Sequence, residues 1–188
     1  MKTAERVTRI WWFFLIVLAV QFLPPLTSRP IDPAETYSVI ATILSNSLVS
    51  TLKPVWPVFQ VLPVLLVISL VVWRNRAARA FSLYAGLSYV VFAFVQNMAF
   101  GQSFGSGVIT SNIVMFLALA GFWFWEARVR VNDFRNFRPP MVRWLVVPAA
   151  FFAFWMPIDW QTRGPLFDPL LLFTSGSGLA FCMMTPVY

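Results

Sequence analysis

Five side-chain amides, Gln21, Gln60, Gln96, Asn97 and Asn112, interrupt long apolar runs, each roughly four or five residues from one border of its run, or about 6–8 Å at 1.5 Å per helical residue. If they face inward together they line a polar pocket near one membrane face, with Thr174, Ser175 and Ser177 of the last apolar run at the same depth. Two carboxylates, Asp159 and Asp168, border the same layer and with the amides would make a cation or amine site that Arg163 can neutralise. The candidate ligand set is thus Gln21, Gln60, Gln96, Asn97, Asn112, Asp159, Asp168 and Ser175. The competing role for the amides is to bond neighbouring helices, at about 0.6 kcal/mol each. Gln96 and Asn112 flank a short turn, and the sequence predicts that they meet.

The acids have a local explanation of their own. Asp32-Pro33-Ala34-Glu35 sets a capping residue before a proline at the first helical position, with a glutamate at the third, and Asp168-Pro169 repeats the device. Asp159, followed by Trp160, has no such capping role and is the better ligand contact.

Other chemistries lack their side chains. The sequence has no histidine, which removes histidine-ligated haem, the usual zinc sites and any histidine base. The single cysteine, Cys182, closes no intrachain disulfide, holds no iron–sulfur cluster, and reads as a small buried hydrophobe. Gly101 to Gly105 spells GxxxG without the lysine of a phosphate loop, and Gly176-Ser177-Gly178 is too short to signal a nucleotide. No acid or base falls near the middle of an apolar run, where proton relays carry one. External aspartates can bind Mg²⁺ or Ca²⁺, but nothing in their spacing requires it. The sequence calls for no cofactor and no metal.

The elements that must position these residues follow from composition. Of 188 residues 59% are hydrophobic and 11% charged, against about 25% charged in a soluble domain. The chain reads as one all-α integral membrane domain over 1–188, a bundle of about six transmembrane helices at 10–26, 55–73, 80–100, 107–125, 142–158 and 170–188. An interfacial amphipathic helix at 34–52 is expected to turn Tyr37, Ile40, Ala41, Leu44, Leu48 and Leu52 to one apolar side. Lys2, Arg6 and Arg9 before the first run resemble a signal-peptide start, but Leu26-Thr27-Ser28 is a poor cleavage site, so the run reads as a span. The last run either crosses the bilayer complete or is broken at Gly176 and Gly178 into half a helix and a loop.

Charge gives the orientation. Eleven of the 14 basic residues fall in one set of connections (Lys2, Arg6, Arg9; Arg74, Arg76, Arg79; Arg128, Arg130, Arg135, Arg138, Arg143), and only Arg29, Lys53 and Arg163 in the other. Basic connections stay in the cytoplasm, so the N-terminus is cytoplasmic, and the C-terminus too if the last run spans. The formal charge of +7 then addresses anionic headgroups on the cytoplasmic face of a cell membrane, not nucleic acid. The linker 126–143 mixes arginine with Phe134 and Phe137, so Arg128, Arg130, Arg135 and Arg138 are candidates for lipid or partner-subunit contact; Glu126 and Arg130 stand one helical turn apart as an ion pair. The favoured function is a multi-pass structural or accessory membrane subunit, not an enzyme. The alternatives are a substrate-binding or transport component with an outward polar pocket, and a membrane enzyme using the external aspartates.

Overall fold

The computed structural model describes residues 11–134, 146–155 and 164–188. The protein is mostly helical, and three of its helices, Thr51–Trp73, Asn75–Gln96 and Thr110–Val129, are long and apolar enough to cross a membrane.

The first helix, α1 (Trp11–Val20), is apolar on every side and exposed through Trp11, Phe14 and Leu18. It ends before Pro24-Pro25, which cannot donate to a helical ladder, and the chain continues as a short strand β1 (Leu26–Thr27). The expected helix at 10–26 is therefore cut short. Asp32 starts the next element as its sequence foretells: its Oδ1 accepts from the Ala34 N–H at 2.9 Å, with Pro33 opening a 3-10 turn (Pro33–Glu35) into α2 (Thr36–Ser45). This helix is shorter than the expected 34–52, because the Asn46 amide turns back to the Thr42 carbonyl and the chain resumes as a 3-10 turn (Leu48–Val55). Its buried face is also different. Val39 and Ile43 are buried, whereas Tyr37 and Leu44 of the expected apolar face are exposed.

Helix α3 (Trp56–Trp73) begins with Pro57 in its first turn and buries Pro63. Arg74, at φ 49, reverses the chain in a single residue, so α4 (Asn75–Val91) starts earlier than the expected 80. Residues Phe92–Gln96 form a wider π turn, and the expected helix to 100 gives way to strand β2 (Met98–Gly101), paired antiparallel with β3 (Gly105–Val108). Strand β1 pairs with the far edge of β3, giving a three-stranded sheet in the order β1-β3-β2. The short turn expected at 101–107 is thus a β-hairpin. Gly105 (φ +72) permits its reversal, and at Gly107 an added Cβ would come within 2.8 Å of both Phe104 and Ile43. Val39 and Ile43 of α2 pack with Ala99, Phe104 and Ile109, so the sheet carries a small core of its own.

Helix α5 (Thr110–Val129) runs back antiparallel to α4. The two approach closely where Phe124 lies over Gly86, whose missing Cβ would fall 2.7 Å from the ring. This places Arg76 and Arg79 at the same end of the pair as Arg128 and Arg130, with the hairpin at the other. Helix α6 (Val146–Trp155) lies within the expected 142–158 run, whose remaining positions are outside the described residues.

The last run is not one helix. It is α7 (Leu171–Thr174), a 3-10 turn (Gly176–Leu179) and α8 (Phe181–Met184), and it threads the interior: Ser177, Leu179 and Met184 are at most 1% exposed. Phe181 and Met184 join Tyr89, Phe92, Phe116 and Phe154 in the main core, and Tyr188 lies against Phe81, Tyr84, Tyr89 and Trp123. The break at Gly176 and Gly178 has a steric cause. At Gly178 the chain passes so near α3 that an added Cβ would sit 2.3 Å from the Phe59 carbonyl oxygen.

Candidate functional site

A broken segment inside a bundle frees backbone groups that hydrocarbon cannot satisfy, and each must find a partner within the protein. The amides provide those partners. Gln60, fully buried on α3, holds Nε2 2.8 Å from the Ser175 carbonyl and 2.6 Å from the hydroxyls of both Ser175 and Ser177, its two N–H protons shared among the three acceptors. The carbonyl fixes the amide's orientation, because an oxygen in that place would face another oxygen. Ser177 passes the connection on by donating to the Phe154 carbonyl of α6 at 2.5 Å. Gln96 accepts the Phe181 N–H at 3.0 Å, serving the first turn of α8.

The remaining pair stands at the π turn. Asn97, fully buried, donates to the Phe92 carbonyl at 2.9 Å and accepts from Nδ2 of Asn112 at 2.7 Å. The expected partner of Asn112 was Gln96. The π turn adds a residue to the last turn of the helix, and it is Asn97 that faces α5 while Gln96 turns to the last run.

The candidate set therefore divides. Gln60, Gln96, Asn97, Asn112 and Ser175 are engaged in bonds between elements or to the π turn. Gln21 is exposed at the end of α1 and takes no part. Asp168 accepts the Leu170 N–H at Oδ1, 2.9 Å, repeating the geometry of Asp32, while its carbonyl accepts the Trp155 indole N–H at 2.9 Å. Asp159 and Arg163 lie outside the described residues. In this layer Gln60 Oε1 is buried without a hydrogen-bond partner. Among the described residues no three His, Cys, Asp or Glu side chains converge as metal ligands.

At the opposite end Arg128 and Arg130 are exposed; Arg135 and Arg138 lie outside the described residues. The expected Glu126–Arg130 ion pair is replaced by another arrangement. The buried Glu126 carboxylate accepts the backbone N–H groups of Val131 at 3.3 Å and Asn132 at 2.8 Å, closing the C-terminus of α5. Cys182, expected to be buried, is exposed.

Two features escaped the reading of the sequence. The hydroxyls of Tyr84, Ser88 and Tyr188 are buried beside one another inside the bundle. The i, i+4 spacing of Tyr84 and Ser88 was a signal, but Tyr188 joins them only through the path of the broken run. The second is Arg79, which shares a cleft with Arg128 and Arg130. No protein-family model, curated protein or solved structure matches this chain.

Proposed function

We propose that this chain is a multi-pass membrane protein of about six crossing segments, the last of them broken, that serves as a structural or accessory subunit and carries out no catalysis of its own. One observation carries the reading: the polar side chains best placed to line an outward pocket are bonded to backbone groups of the irregular segments or to one another. An amide that closes a gap in the protein's own hydrogen bonding has less left for a ligand. Cross-linking in intact cells at native abundance, followed by purification in mild detergent, is expected to return one other membrane protein at a constant ratio to this chain. A chain recovered alone, whose melting temperature is raised by a small polar solute, would restore the binding or transport reading in its place.

The arginine-rich end is proposed to face the cytoplasm and the hairpin the outside, because a bias of eleven to three in basic residues sets topology. In a Cys182→Ser background, an impermeant thiol reagent applied to intact cells is expected to label Ser103→Cys in the hairpin and to spare Val131→Cys beyond α5. Labelling of the second with protection of the first would reverse the orientation.

A further inference from the structure

Between α4 and α5 at the arginine end lies a cleft of about 320 Å³ lined by Arg79, Leu83, Phe124, Ala127, Arg128 and Arg130. Its three arginines come from two antiparallel helices and a helix terminus, and their positions are set by the backbone. Arg130 occupies the left-handed cap of α5 (φ 56), its N–H held by the Glu126 carbonyl at 2.8 Å. Glu126, two residues before Arg128, is turned to the backbone of Val131 and Asn132, and Asp133, three residues beyond Arg130, accepts from the Asn75 amide at 2.7 Å. Three like charges around one cleft repel each other until an anion enters, and guanidinium groups match phosphate oxygens in paired hydrogen bonds.

Half of the lining is apolar, through Leu83, Phe124 and Ala127, and apolar surface continues from it in one direction. Arg79, Leu83 and Leu87 are spaced four apart on one face of α4, and Phe124 lies one turn before Arg128 on α5, so the guanidinium groups share a level with apolar surface running from them toward the middle of the bundle. Leu83, Leu87 and Phe124 are 39%, 58% and 37% exposed. A soluble phosphate has no use for that surface; an amphiphile does. The volume is at the low end of small-molecule sites, about 300–1,000 Å³, enough for a headgroup whose chains lie outside against the helices.

We propose that this cleft holds the phosphate of an anionic phospholipid from the leaflet at the arginine end, with an acyl chain along Leu83, Leu87 and Phe124. The inference rests on the reading that the bundle crosses a bilayer, and its test separates the two. Protein reconstituted with equal amounts of phosphatidylglycerol and phosphatidylcholine, then released for native mass spectrometry, is expected to retain one phosphatidylglycerol per chain in preference to phosphatidylcholine. Arg79→Gln and Arg128→Gln are each expected to lower retention about fivefold, the gain of one arginine near anionic lipid. Arg76→Gln removes the same charge outside the cleft and is expected to change it less than twofold. Equal retention of the two lipids, or equal losses for Arg76→Gln and Arg79→Gln, would overturn the site. Full displacement of the lipid by millimolar glycerol phosphate would assign the cleft to a soluble ligand and overturn it as well. If the protein meanwhile resists alkaline extraction from vesicles, the membrane reading survives such a failure; if it is extracted, that reading falls.

Discussion

Gln60→Leu is expected to destabilise the bundle by about 2 kcal/mol, although it places a hydrocarbon side chain in a buried position that an apolar core would accept. The leucine leaves the Ser175 carbonyl and hydroxyl without the amide donor that now serves them, and a buried polar group stranded in this way costs about 1–3 kcal/mol. Ser177 keeps its bond to the Phe154 carbonyl, and interhelical side-chain bonds in membranes average only about 0.6 kcal/mol, which holds the total near the middle of the range. The expected fall in melting temperature is about 4–8 °C for a chain of this size. Gln60→Glu separates the donor from its volume. A protonated carboxyl can still donate to the Ser175 carbonyl, and an ionised one cannot. A carboxylate buried there loses both its hydration and its donor, so the variant should be closest to wild type in acid and lose stability as the pH rises. A Gln60→Leu protein as stable as wild type, or a Gln60→Glu protein whose melting temperature follows the wild-type pH profile, would remove the amide from its structural role.

What the sequence disclosed and what it concealed divide along one line, the difference between regular and irregular backbone. Helices α3, α4 and α5 were legible because each is a long apolar run, and their ends were displaced only by local events: Arg74 reversing the chain at one residue, and the π turn before Asn97. The depth of the amides was legible too, since depth needs only the helical rise. Their partners were not. Gln60 and Gln96 bond to Ser175 and Phe181 because the last run is broken, and although Gly176 and Gly178 suggested a break, they could not say which carbonyl and which N–H it would free. The one-residue error at Gln96 has the same origin, because a π turn changes the direction of every side chain beyond it and leaves little trace in hydropathy. The hairpin was obscured for another reason. Gly101 to Gly107 carries turn residues and no charge, and its strands are recognisable only once β1 and α2 supply the edge and the apolar cover.

Gly178→Ala tests the close approach that makes this arrangement possible, and its expected cost, about 3 kcal/mol, exceeds what one methyl group normally carries. The new Cβ would lie 2.3 Å from the Phe59 carbonyl oxygen and 2.7 Å from its carbon. Both atoms belong to the backbone of α3 and cannot turn aside as a side-chain tip would, so the 3-10 turn must move off the helix, at the upper end of the 1–3 kcal/mol typical of overpacking. That movement draws Ser175 and Ser177 away from Gln60, which makes the two substitutions energetically dependent. Gly178→Ala combined with Gln60→Leu should then cost less than the sum of the single variants by more than about 0.5 kcal/mol, the margin within which distant sites add. Gly176→Ala is the control from the same turn. Its Cβ would meet the Trp56 ring at 3.1–3.3 Å, a side chain able to give by a few tenths of an ångström, so its effect should stay below about 1 kcal/mol, with reduced freedom of the unfolded chain offsetting part of the contact. Equal melting temperatures for the two alanine variants, or strict additivity of Gly178→Ala with Gln60→Leu, would show that the turn and the amide do not form one unit.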